Sequence, residues 1–333
     1  MSPDTQPSVS AIAVVDLARE LLRLNIIDET DLRQLHGPLA TQVAVLNKGG
    51  DISDVLERRY PEAWLVWLWQ QADQRPFYPS VGIEFGARIL PESRGLPSHL
   101  LQTCRDLGDV LNTYLDNILL VNPADQWTVE TEGERTVLSF KFLSAFDYPR
   151  CAVERSMAAL YHWGCYLCEQ TLPLLAVDFT FDQPDYHRVV ERCFNAPIRY
   201  QAQRNALIVP SAVFATQVQG GDQPYIRKIL SQRALELRSH IGDQQTVSGR
   251  VRQLLDQDLA HYGDQSNLAD ALYMSRSTLV RKLAREGVRF SQLLDEARRR
   301  CFQRLHNLPA TQIADRLGFM DVSAFYKARR RWE

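Results

Sequence analysis

Two short stretches near the end of the chain carry side chains suited to reading nucleic-acid bases. The first holds Arg276, Ser277, Val280 and Arg281; the second holds Val322, Ser323, Tyr326 and Lys327. At helical spacing each set shares one face, because residues three and four apart are neighbours there. Arginine offers a planar donor fork that matches guanine, serine adapts to a donor or an acceptor, and valine or tyrosine can touch a thymine methyl. Around them stand Lys282, Arg285, Arg289, Arg330 and Arg331. Those cations are suited to phosphates, a contact that weakens with salt.

Other residues invite different chemistry. Cys165 and Cys168 form a CxxC, but no second pair or nearby histidines complete a metal set, so reduced core or surface thiols are expected. His162 stands three residues before Cys165 on a predicted helix, a geometry a nucleophile pair could use. No Gly-flanked nucleophile or paired acid supports that use, and a core or pocket-lining role is the stronger reading. Asp178 interrupts an apolar strand and needs a partner if buried. Trp64, Trp67 and Trp69 are expected in packing. No glycine-rich phosphate loop or calcium loop is present, so no cofactor or metal is expected.

The elements that must position the basic stretches form an internal repeat. Leu268, Ala269, Leu272 and Met274 correspond to Ile313, Ala314, Leu317 and Phe319; Ser277, Leu279 and Arg281 then correspond to Ser323, Phe325 and Lys327. Each copy predicts a short helix, a tight break and a second helix. Met274 or Phe319 plugs the turn, and Leu279 or Phe325 anchors the second helix. Ser275 and Asp321 suit helix N-caps, and Gly318 suits a left-handed C-cap. A turn so tight makes the second helix cross the first steeply, leaving its outer face free to enter a DNA major groove. Phe290–Leu305 reads as one bridging helix with Leu293, Leu294 and Ala297 inward. Such a bridge would set the two reading helices in successive major grooves, about 34 Å apart.

Charge separates this region from the rest. The 333 residues sum to a net charge of −2, yet residues 246–333 carry 16 Lys and Arg against 10 Asp and Glu, leaving the remainder acidic. A composition 45% hydrophobic and 23% charged excludes a disordered or fibrous chain. No apolar run approaches the roughly 20 residues that span a bilayer, and the start lacks signal-peptide features, so a cytoplasmic location is expected. Helices are expected over Ala11–Leu24, Asp51–Tyr60, Leu96–Leu120 and Cys151–Gln170. Trp127–Glu132 and Val137–Leu143 read as a hairpin about Gly133. Further strands are expected over Leu174–Phe181, Ile198–Gln201 and Leu207–Val209. A helix over Tyr225–His240 leads to a polar break at Gly242–Gln245. The expected organisation is therefore an α+β domain over residues 10–230, a linker helix and hinge over 231–245, and an all-α domain over 246–333. The last holds two helix-turn-helix units joined by a long helix.

Thr246–Trp332 resembles the DNA-binding domain of the AraC/XylS family of bacterial transcription regulators. The likeness rests on Leu268-Ala269, Leu272, Met274 through Leu283, Glu286-Gly287, Phe290, Leu293-Leu294, Arg298, Ile313-Ala314, Leu317-Gly318-Phe319, Ser323-Ala324-Phe325 and Arg331-Trp332. It implies base contacts from Ser277, Val280 and Arg281 and from Val322, Ser323, Tyr326 and Lys327. The chain departs from the pattern in three places. Arg329 stands at a core phenylalanine position, the connection before Ile313 is shorter, and the sequence ends at Glu333 without the usual tail, which together imply a less well packed second unit. Residues 10–230 resemble the arabinose-binding type of N-terminal domain, through Val177-Asp178-Phe179, Tyr186, Phe194, Pro197 to Tyr200 and Arg204 to Pro210. That likeness implies a small-molecule sensor that can dimerise, with an effector not identified and Tyr225–His240 as transmitter. The implied partners are double-stranded DNA, the effector, a second copy of the chain and RNA polymerase. The competing readings are an enzyme in residues 1–230 with a DNA-localising tail, and an architectural DNA protein without an effector.

Overall fold

The computed structural model describes residues 7–75, 77–88, 95–302, 309–319 and 321–332. Two compact units divide the chain between Glu236 and Leu237. The first is α+β. It opens with β1 (Ser8–Ser10) and α1 (Ala11–Arg23), whose Val14, Val15, Leu17, Ala18 and Leu21 are buried as the helical spacing requires. Then come α2 (Glu29–Asn47), α3 (Ser53–Leu56), β2 (Arg59–Pro61), α4 (Glu62–Asp73), α5 (Val81–Ala87), α6 (Gly95–Gln102) and α7 (Leu107–Asn117).

Two expected helices are corrected here. Within Asp51–Tyr60 only α3 is helical; Tyr60 instead pairs with Val9 in the β1–β2 ribbon. Pairing across the chain overrides a short stretch with weak helical drive. Leu96–Leu120 is interrupted after Gln102, and Asp106 caps a new helix by accepting from the Asp109 N–H at 2.9 Å. An aspartate at that place is a restart signal.

The expected hairpin forms from β3 (Asp125–Glu132) and β4 (Arg135–Phe142), with Trp127 opposite Phe140 and Gly133 at φ +61° in the turn. After α8 (Arg150–Cys168) come β5 (Ala176–Asp178), α9 (His187–Phe194), β6 (Ile198–Arg199) and β7 (Asn205–Pro210). The sheet order is β3-β4-β7-β5-β6, antiparallel except for β5–β6. One face is covered by Met157, Ala158 and Tyr161 of α8 together with Phe179 and Phe194. Helix α5 lies directly on α8. A Cβ added at Gly82 would stand 2.1 Å from the Cys151 carbonyl oxygen, and one at Gly86 2.5 Å from that of Arg155. Only glycine permits that approach.

Helix α10 (Pro224–Gln245) runs without interruption through Gly242–Gln245, where a polar break was expected. The break shrinks to Thr246, which caps the next helix. The second unit is helical in its described residues: α11 (Val247–Gln257), α12 (Leu259–Tyr262), α13 (Gln265–Ala271), α14 (Arg276–Arg285), α15 (Phe290–Phe302), α16 (Ala310–Arg316) and α17 (Val322–Trp332). Its core gathers Leu268, Leu272, Leu279, Leu283, Leu293, Leu317 and Phe325, with both repeat copies contributing the residues their pattern marked. The expected bridging helix is α15. Its predicted last turn falls in residues 303–308, outside the described residues, as does most of the connection before Ile313.

Candidate nucleic-acid interface and ligand cavity

Each copy of the repeat is a helix-turn-helix held by local hydrogen bonds. In the first, Ser275 accepts from the Thr278 N–H at 3.2 Å and starts α14. In the second, Asp321 accepts from the Ala324 N–H at 2.7 Å and starts α17. Leu279 and Phe325 are buried beneath them. Gly318 takes the expected left-handed conformation at φ +65°. The matching place in the first copy is Tyr273, at φ +51° and 72% exposed, a conformation that costs a residue with a Cβ about 1–2 kcal/mol.

With these anchors the predicted reading residues fall on open faces. Arg276, Ser277, Val280 and Arg281 are exposed on α14, and Ser323, Tyr326 and Lys327 on α17. Val322 is the exception: it is half-buried and packs against the core. Lys282, Arg285, Arg289, Arg330 and Arg331 are exposed as well, but Arg331 already meets Asp295 at 3.0 Å.

Three residues outside the predicted set shape this face. Arg298 points inward from α15, donating to the Leu317 carbonyl at 2.9 Å and the Gly318 carbonyl at 2.6 Å, with its guanidinium 4.0 Å from the Phe319 ring centroid. It satisfies carbonyls left over at the end of α16 and braces the turn. Glu286, just past α14, accepts from the Val247 and Ser248 N–H groups, both at 2.8 Å, and so ties the reading helix to the start of α11. Asp295 receives Arg331 and the Trp332 indole N–H at 3.1 Å, fixing the end of α17. Arg329 stays exposed, 5.9 Å over the Phe302 ring, and the aromatic packing is supplied by Phe302, Phe319, Phe325 and Trp332. The family motif contains Glu286 and Arg298 but not Asp295, and nothing in a sequence says which arginine turns inward.

The first unit holds a partly open cavity of about 160 Å³ between the sheet and α1, α5, α6, α7 and α8. Leu101, Val110, Leu111, Leu138, Leu207 and Val209 contribute an apolar wall. Arg155 and Ser156 of α8 line it too, and both also line a small adjoining cavity beside Asp125. The Nε of Arg155 is buried without a hydrogen-bond partner among the described residues. Burial pushes the Asp125 carboxyl up to about 7, against the pull of the Arg155 charge and the Asn122 amide at 2.8 Å.

The remaining candidates separate from this cavity. His162 faces Cys193 (Nε2 to Sγ, 3.2 Å), and Cys165 instead accepts from the Leu172 N–H. Burial pushes the Cys193 thiol up to about 12 and lowers His162, so both are held neutral, the reverse of an activated thiolate pair. All six cysteines are free thiols, and no cluster of metal-binding side chains occurs among the described residues. Asp178 is taken by Arg199 in a bidentate pair at 2.5 and 2.9 Å, a structural role. Trp69 is buried, and Trp64 packs on His36 and Tyr60. Among the described residues no helix is long and apolar enough to cross a membrane.

The chain is similar to known proteins over both units. A family profile described as the arabinose-binding domain of AraC transcription regulator, N-terminal, matches residues 49–218, and a helix-turn-helix domain profile matches residues 268–333. The ornithine utilization regulator of Pseudomonas aeruginosa is 26% identical over 261 residues, covering 76% of each chain. The regulator YdeO of Shigella flexneri is 35% identical over 88 residues, covering 26% of this chain and 35% of that one. The crystal structure of the regulator CdpR from Pseudomonas aeruginosa aligns with 92% of this chain and 95% of that one, at 21% identity and a TM-score of 0.41. The chain belongs to the AraC family of transcription regulators, with an effector-binding domain of the arabinose-binding type ahead of a helix-turn-helix DNA-binding domain.

Proposed function

We propose that this regulator reads a specific DNA site by seating α14 and α17 in successive major grooves. The observation that carries the reading is the pair of capped, core-anchored helices whose free faces are polar and basic. Arg276, Ser277, Val280 and Arg281 on one, and Ser323, Tyr326 and Lys327 on the other, are the base-contacting residues; Val322 contributes least, being half-buried. Lys282, Arg285, Arg289 and Arg330 neutralise phosphates, joined by Arg331 when it leaves Asp295. Functionally the chain divides into an effector and dimerisation domain over 10–230, a linker helix over 231–245 and the DNA reader over 246–333. Effector binding shifts the DNA-bound population through α10. An excess of six positive charges per reader is modest. A homodimer that doubles the phosphate and base contacts fits that shortfall, and RNA polymerase is the further partner of such a regulator in the cytoplasm.

A shift assay on the promoter flanking its own gene tests the reading. Arg281→Ala and Lys327→Ala should each relax base preference, at about 1–3 kcal/mol per lost contact. Lys282→Ala should weaken all sequences alike and lower the salt slope by about one. Unchanged base preference in both of the first two variants overturns the assignment.

A further inference from the structure

Effector binding by the first unit leaves the ligand's chemistry open, and the cavity narrows it. Its wall is mostly aliphatic and aromatic. Two hydroxyls there are already committed: Tyr161 donates to the Leu172 carbonyl at 3.2 Å, and Ser98 to the Gly95 carbonyl at 2.9 Å. A sugar seated in such a chamber would leave most of its hydroxyls unpaired, at about 1–3 kcal/mol each. An apolar body meets no such penalty.

Two charged groups break the apolar pattern, Asp16 and Arg155. Arg155 sits in the middle of α8, where the glycines of α5 press backbone against backbone and fix its position. Its Nε is buried and unpaired among the described residues. Arg155 as a whole is half-buried, and a cation partly withdrawn from water is stabilised by an anion that answers it. The nearby Asp125 lies on the adjoining cavity and is drawn towards its neutral form by burial, so it answers only in part. Asp16, the acid on this cavity's own wall, is buried and already engaged. The chamber therefore pairs apolar walls with one under-compensated positive charge. On the scale where one water takes about 10–15 Å³ of such space, 160 Å³ admits roughly ten to fifteen non-hydrogen atoms.

We propose that the cavity binds a hydrophobic monocarboxylate of about that size, its carboxylate paired with Arg155 and its apolar body against the Leu138, Leu207 and Val110 wall. The proposal rests on the effector-binding reading of this unit, and its test separates the two. The full chain is titrated with decanoate, 1-decanol, L-ornithine and L-arabinose, and followed by calorimetry and thermal melting. Decanoate should bind saturably and raise the melting temperature, with 1-decanol at least tenfold weaker. Arg155→Gln should cost decanoate tenfold or more and leave 1-decanol unchanged, while Ala159→Phe, which fills the cavity, should abolish both. The comparison of decanoate with 1-decanol on the natural chain decides the charge argument even if a variant fails to fold. Equal binding of the two, or decanoate binding that survives Ala159→Phe, overturns the proposal. Binding of ornithine or arabinose without decanoate also overturns it and leaves the effector reading standing. If none of the four binds, the proposal fails. The effector reading fails with it only if an extract of cellular metabolites also leaves melting and promoter binding unmoved.

Discussion

Arg298 turns its charge inward among arginines that face solvent. Its two bonds to the Leu317 and Gly318 carbonyls and its contact with Phe319 brace the second turn. Hydrogen bonds to a charged group contribute about 1.5–3 kcal/mol each, so Arg298→Ala should destabilise the reader by about 2–4 kcal/mol in urea melts. Arg298→Lys should recover little of it, because an ammonium cannot span two carbonyls as a planar fork does. Promoter binding at a temperature where the variant is folded should keep its salt slope, as a phosphate contact would not. At this scale the sequence was informative about type and silent about direction. Arg281 and Arg298 look alike in a row of letters, and only packing assigns one to solvent and the other to a turn.

Helices in the two units were legible to different degrees, for a physical reason. The reader repeats one buried pattern twice, so Leu268 to Leu279 and Ile313 to Phe325 corroborate each other, and the caps at Ser275 and Asp321 stand where expected. The sensor offers no such redundancy. Helix α5 holds Gly82 and Gly86 in seven residues, a composition that signals a break when read locally. Its glycines serve the contact with α8, a tertiary demand that local propensity cannot express. Gly82→Ala should therefore destabilise the sensor, by about 2 kcal/mol or more for a clash against backbone, although alanine is the better helix former. A thermal melt checks the sign. The cavity was illegible for the same reason, since its lining comes from helices and strands spread over most of the unit.

Across the whole molecule, charge and burial set the dependence on pH. Burial pushes Glu154 and Asp125 up to about 7, with the Tyr186 hydroxyl at 2.7 Å opposing the shift at Glu154. Their folded values lie above the ordinary carboxylate value of about 4, so the folded chain keeps protons that the unfolded chain has released. Stability from these two groups is full below about pH 4 and falls as pH rises towards and through 7. Glu20 and Asp109, held low mainly by their arginine partners, act in the opposite sense and lose their contribution only as pH falls through their lowered values. The sensor should consequently melt at a higher temperature near pH 5 than at pH 8. Glu154→Gln, which has no proton to lose, should flatten that difference; a slope unchanged from the natural chain would remove Glu154 from the account. A last consequence concerns dissection of the molecule. The Glu286 carboxylate closes a ring with the Val247 and Ser248 amides, and Thr246 accepts from Gly249, so α11 carries its own cap and clasp independently of α10. A fragment cut at residue 246 should fold and bind DNA as an independent piece, whereas one cut at residue 250 would lack the donors that complete the ring. Limited proteolysis should find the second fragment, four residues shorter, the softer of the two.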